Sequence, residues 1–165
     1  MLKCHELFGF MSPSLSQEIL NYAYSSDKTL YRAVLAAVAD SRKLRTAFFE
    51  KRPRTERHQE MLASLSRPRL EEASANLLRS WLLKSEQALL IDFLDQLGIP
   101  HEKGVVNEFP KTVDDARLTA TVDFLLGKYP AEKVAVYLNT ISATSGTNWA
   151  NLETLLQNEP RVQLG

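Results

Sequence analysis

Residues 66–100, SRPRLEEASANLLRSWLLKSEQALLIDFLDQLGIP, decide the fold class. Leu70, Ala73, Leu77, Leu78, Trp81 and Leu82 recur at steps of three and four, the spacing that puts side chains on one face of an α-helix. Ser66 and Pro68 open the segment, and Glu71 and Glu72 fall in the first turn, where the helix dipole favours negative charge. Lys84-Ser85-Glu86 reads as a short turn. A second stripe follows, Leu89, Leu90, Phe93, Leu94 and Leu97, closed by Gly98 as a left-handed cap and by Pro100 beyond it. Each stripe is one-sided and must be buried against a neighbour, so the unit of construction is the packed helix pair.

The same period extends in both directions. Ser12-Pro13-Ser14 opens a helix, with Ser14 and Gln17 as a capping box and Leu15, Ile19 and Tyr22 on its inner face. Ser25-Ser26-Asp27 ends it and caps the next, which reads as continuous from Thr29 to about Lys51 through Leu30, Val34, Ala37, Val38, Leu44 and Phe48. Pro53 separates this from a helix over residues 55–65. Beyond residue 100, residues 99–111 form a thirteen-residue loop with Val105-Val106 as its only extended fragment. Thr112 and Asp115 read as a second capping box. Its helix runs to Gly127, with Val113, Ala116, Ala120 and Phe124 on one row and Leu118, Val122 and Leu125 on the next. Pro130 starts a helix through Val134, Tyr137, Leu138 and Ile141 that Ser145-Gly146 breaks. Thr147 or Asn148 caps a last one carrying Trp149, Leu152, Leu155 and Leu156.

The expected architecture is all-α: seven to eight helices in antiparallel pairs, as an irregular bundle or a short helical-repeat array. Trp81-Leu82-Leu83 with Phe93 resembles Phe124-Leu125-Leu126 with Tyr137 at an offset of 43 to 44 residues, within the range of helical repeats. A true repeat would place Trp81 over Phe124 and Phe93 over Tyr137. One domain is expected over residues 1–165, with 1–11 a candidate disordered tail and Trp81, Phe93, Phe124 and Leu138 in the core.

Composition narrows the function classes. Apolar residues are 44% and charged residues 24% of 165, ordinary globular proportions. A single cysteine, Cys4, cannot close an internal disulfide. The first ten residues do not read as a signal peptide, and no apolar run approaches the ~20 residues a membrane span needs. A cytoplasmic protein with no membrane association is the expectation. Net charge is zero, yet residues 1–80 carry thirteen Lys/Arg against nine Asp/Glu and residues 81–165 carry seven against eleven. One half is basic and the other acidic.

Chemistry-bearing motifs are sparse. His5, His58 and His101 lie far apart without metal-ligand spacing. Cys4-His5 reads as part of a frayed terminus, and His58 and His101 as surface residues. Asp92 with Asp95, and Asp114 and Asp115 with Asp123, serve as solvated edges and helix-start charges. No phosphate-binding or nucleophile-elbow glycine motif occurs. No cofactor, metal or catalytic residue is therefore assigned.

Two candidate binding segments stand out. Arg42, Lys43, Arg45, Lys51, Arg52, Arg54 and Arg57 put seven cations in sixteen residues against Glu50 and Glu56, a corner suited to a phosphate backbone or an acidic partner. Phe48 and Phe49 interrupt it, and Phe48 reads as core because it continues the apolar stripe. His101, Glu102 and Lys103 put three titratable side chains on the exposed loop, where function concentrates. The functional expectation is a non-enzymatic helical interaction or scaffold module whose partner is another protein. The alternatives are nucleic-acid or acidic-partner binding through residues 42–57, and an enzyme with a site assembled from scattered residues.

Overall fold

The computed structural model describes residues 2–164; 74% of these are helical and none lies in a strand. The all-α expectation holds, with ten α-helices among the described residues instead of seven or eight. Two features make the difference.

The first is the N-terminal segment. Cys4–Phe10 form a helix, α1, burying Cys4, His5, Leu7 and Phe8, where the sequence suggests a tail. No side chain near Lys3 caps it. Instead Glu71, from α6 (Glu71–Ser85), accepts from the backbone N–H of Cys4 at 2.7 Å and of His5 at 3.1 Å. A cap supplied from 67 residues away leaves no local signature.

The second is a break inside the stretch that reads as one helix from residue 29. The chain runs as α2 (Pro13–Ser26), α3 (Lys28–Ser41), α4 (Thr46–Glu50) and α5 (Arg54–Leu65). Lys43 takes φ +57°, while Leu44 N–H donates to Ala39 O and Lys43 N–H to Asp40 O. That is the Schellman end of a helix, with lysine where glycine is usual. Because α4 starts anew at Thr46, its phase is not inherited from α3. Phe49 is fully buried and Phe48, expected in the core, is 48% exposed. Leu44 is 40% exposed.

Caps elsewhere shift by a residue or two. Ser12, not Ser14, caps α2 by accepting from Leu15 N–H, and Pro13 takes the first helical position. Asp27 ends α2 and caps α3, as expected. A 3₁₀ turn at Pro68–Leu70 leads into α6, and Glu86 alone separates α6 from α7 (Gln87–Leu97). Gly98, at φ +69°, completes a Schellman end with Ile99 N–H donating to Leu94 O. Asp114, not Thr112, caps α8 (Asp115–Lys128). α9 (Ala131–Thr144) buries every residue from Val134 to Ser142, so all its sides are covered. Its buried Asn139 and Thr140 donate to the carbonyls of Ala135 and Val136 four residues back. α10 (Ala150–Asn158) and a 3₁₀ turn at Pro160–Val162 close the chain. None of these helices is long and apolar enough to cross a membrane.

Two compact units result, Lys3–Trp81 and residue 2 with residues 82–164. In the first, α3 packs on α2, α4 and α5, and α5 also on α1 and α2. In the second, α7 packs on α8, α8 on α9, and α9 on α10. The charge asymmetry follows this division: the net +4 belongs to the first unit and the net −4 to the second.

Trp81, Phe93 and Leu138 are buried as expected, but Phe124 is 41% exposed. On α8 the row Leu118, Val122 and Leu125 faces inward together with Thr121, whose hydroxyl donates to Arg117 O at 2.8 Å. Two adjacent rows of α8 were apolar enough to be inner, and the aliphatic one won. Trp81 and Phe124 are thus not equivalent, while Phe93 and Tyr137 pack edge-to-face on each other at 5.1 Å. The 43-residue self-similarity has no counterpart in packing. Phe124→Ala is expected to change unfolding free energy by less than about 1 kcal/mol in urea denaturation, the usual scale for exposed sites.

Candidate functional site

The cationic segment forms the corner where α3 ends, α4 passes and α5 begins. Its seven cations divide into three groups. Arg42, Arg52 and Arg57 are half-buried and engaged internally. Arg42 Nε donates to Ser64 Oγ at 2.9 Å, and Arg52 pairs with Glu60. Arg57 donates through Nη1 to the carbonyls of Glu50 and Arg52 and through Nε to the Tyr31 hydroxyl at 2.9 Å. The end of α4 is thereby tied to α5 and α3. Arg54 is exposed, its guanidinium 5.1 Å from the centre of the Tyr24 ring.

Lys43, Arg45 and Lys51 are exposed and make no ion pair, side-chain hydrogen bond or ring contact within the described residues. Along the chain they flank the two exposed apolar side chains of the corner, Leu44 and Phe48. The Arg52 guanidinium stacks 4.5 Å from the Phe48 ring centre and 5.1 Å from that of Phe49. Phe48 is therefore held in place while still open to solvent. The exposed aromatic anchor lies on α4, and its aliphatic neighbour and the unpaired cations lie on the residues that flank this short helix.

Behind the corner lies a polar network that sequence reading missed. His58 of α5 is buried, not on the surface, and its Nε2 lies 2.8 Å from the Tyr31 hydroxyl. With the imidazole proton on Nδ1, the Tyr31 hydroxyl donates to Nε2 while accepting from Arg57, and Tyr24 packs edge-on to both rings. Burial, then the charges of Arg57 and Arg54, lower the His58 pKa to about 4. His58 stays neutral, as an acceptor for Tyr31.

The loop candidates sit elsewhere, in the second unit. His101 is half-buried: Nε2 lies 2.7 Å from Asp95 Oδ1, and Nδ1 accepts from Gly104 N–H at 3.1 Å. That assigns the proton to Nε2, and both nitrogens are occupied. Lys103 (φ +53°) and Gly104 (φ +90°) form a type I′ turn closed by two hydrogen bonds between Glu102 and Val105. Glu102 and Lys103 are exposed and, with His101, Lys84, Gln87 and Glu108, line an open cleft of about 710 Å³.

Acidic candidates separate rather than converge. Asp92 is held by Lys128 and Tyr129, Asp95 by His101, Asp115 by Asn151, and Asp123 by Arg161. Among the described residues no three His, Cys, Asp or Glu side chains gather in a way that would hold a metal. Cys4 is buried, and burial with the nearby Glu71 charge pushes its thiol up to about 12, far from a reactive thiolate. No family model, no curated protein and no solved structure matches this chain.

Proposed function

We propose that this chain is a non-enzymatic protein-interaction module of the cytoplasm, docking its partner at the α3–α4–α5 corner. The observation that carries this reading is the exposed Phe48, clamped by Arg52 and rimmed by Lys43, Arg45 and Lys51. Aromatic and arginine anchors are the side chains that dominate binding energy at protein interfaces. The one-residue connection at Asp27, with α3 packed on α2, supports successive helices packed as an antiparallel pair, with the corner at the far end of α3. The cleft beside His101, Glu102 and Lys103 is a second candidate contact.

A photo-crosslinking phenylalanine analogue at position 48, introduced into the full chain in its native host, tests the reading. The expected result is covalent capture of a discrete protein that disappears when Lys51→Glu is added. Capture only of RNA or DNA, or capture unaffected by the charge reversal, removes the corner as a protein-docking site.

A further inference from the structure

We infer that the segment docking at this corner is an acidic peptide stretch carrying an apolar anchor, its carboxylates on Lys43, Arg45 and Lys51 and its anchor on Phe48 and Leu44. This rests on the interaction-module reading and names the chemistry of the partner.

Charge complementarity carries the argument. Internal contacts engage Arg42, Arg52 and Arg57, and Arg54 lies against the Tyr24 ring, which leaves Lys43, Arg45 and Lys51 unpartnered. Arg45 and Lys51 cap the two ends of the five-residue α4, which spans about 7.5 Å, and each stands three residues from Phe48. The three cations and the aromatic ring are thus within reach of one short segment. Desolvating unpaired lysine or arginine is unfavourable unless a carboxylate or phosphate replaces the water, so an apolar partner alone does not fit. An acidic stretch without an apolar residue would leave Phe48 and Leu44 in water.

Two other anionic surfaces fit less well. A nucleic acid would use Phe48 as a stacking platform, but the Arg52 guanidinium already lies against that ring at 4.5 Å. Three free cations would also make few phosphate contacts, on a chain whose net charge is zero. An anionic membrane would meet only two insertable side chains, Leu44 and Phe48, on this corner.

Fluorescence anisotropy on the full chain separates these cases. The probes are a short labelled peptide of glutamates interspersed with leucine and tryptophan, the same peptide with glutamine for every glutamate, a single-stranded oligonucleotide, and phosphatidylserine vesicles. The acidic peptide is expected to bind about tenfold or more tightly than its glutamine version, and to weaken with salt. Lys43→Glu/Arg45→Glu/Lys51→Glu should abolish that binding, and Phe48→Ala should weaken it about tenfold or more, as for a central anchor. The same charge change at Lys111, outside the corner, should leave it intact. Circular dichroism melts confirm that each variant folds; if the triple variant does not, the single exposed changes Lys51→Glu and Phe48→Ala carry the test. Equal binding of the glutamine peptide overturns the inference. So does an oligonucleotide or vesicle affinity matching the peptide's, or no saturable peptide binding up to about 1 mM. If the peptide arm fails while position 48 still captures a charge-sensitive protein partner, the interaction module stands and only its acidic chemistry falls.

Discussion

Replacing Phe93 with alanine is expected to destabilise the protein by about 3–5 kcal/mol, the range for deleting a buried aromatic ring and leaving its cavity. Phe93 is fully buried on α7 and meets Tyr137 of α9 edge-to-face at 5.1 Å, so ring–ring attraction is lost along with apolar burial. Tyr137 itself is buried enough that its hydroxyl is pushed well above the ordinary tyrosine range, which ties the neighbourhood to a dry interior. Such a loss is a large share of the 5–15 kcal/mol by which a domain is usually stable. Urea denaturation followed by tryptophan fluorescence measures it, with Trp149 reporting from the same unit as Phe93. A change below about 1 kcal/mol would place Phe93 outside the core. Paired with Phe124→Ala, the experiment tests the phase of two neighbouring helices at once.

Acidification is expected to weaken the unit built from Lys3–Trp81 through His58. In the unfolded chain this histidine takes up its proton near its ordinary value of 6.5, whereas burial, then the charges of Arg57 and Arg54, hold it near 4 in the fold. The unfolded state therefore binds more protons between those values. The stability that His58 contributes is complete above about pH 6.5, falls as pH drops toward 4, and changes little below that. A difference of that size corresponds to a loss on the order of 3 kcal/mol. Protonation also places a hydrogen on Nε2 against the Tyr31 hydroxyl, which already accepts from Arg57. The Tyr31 hydroxyl must then turn its own proton away from Nε2, beside the bond from Arg57, which fastens the end of α4. Carboxylates act in a lower window. Burial pushes the Glu71 carboxyl up, but hydrogen bonds from His5 and Cys4 outweigh it and hold its pKa below the usual value, so its contribution is lost only at more acid pH. Urea midpoints from pH 7 to pH 4, compared with His58→Phe, isolate the histidine part. A parent whose midpoint is flat from pH 6.5 to 4.5 would contradict it.

The all-α class was legible because its signal is local. Stripes at three- and four-residue steps, Pro13 and Pro130 at helix starts, Asp27 between two helices and Gly98 at a left-handed helix end each act within a few residues of where they stand. Gly98 and Lys43 form the same hydrogen-bonded helix end, yet only glycine announces a positive φ. The break at Lys43 was invisible for that reason. With it went the phase of α4, the exposure of Phe48 and the shape of the candidate site.

By itself the sequence determined the all-α class, most of the helix starts and ends, and which cations cluster, since propensity, capping and charge spacing are properties of neighbouring residues. Tertiary structure decided which of two apolar rows on α8 faced inward, and which cations of the corner were consumed by internal partners. It also decided that Cys4–Phe10 form a packed helix. Glu71 caps α1 from 67 residues away, and Tyr31 meets His58 from 27. Such contacts form only after the chain has closed the intervening loops, so no window of neighbouring residues contains them.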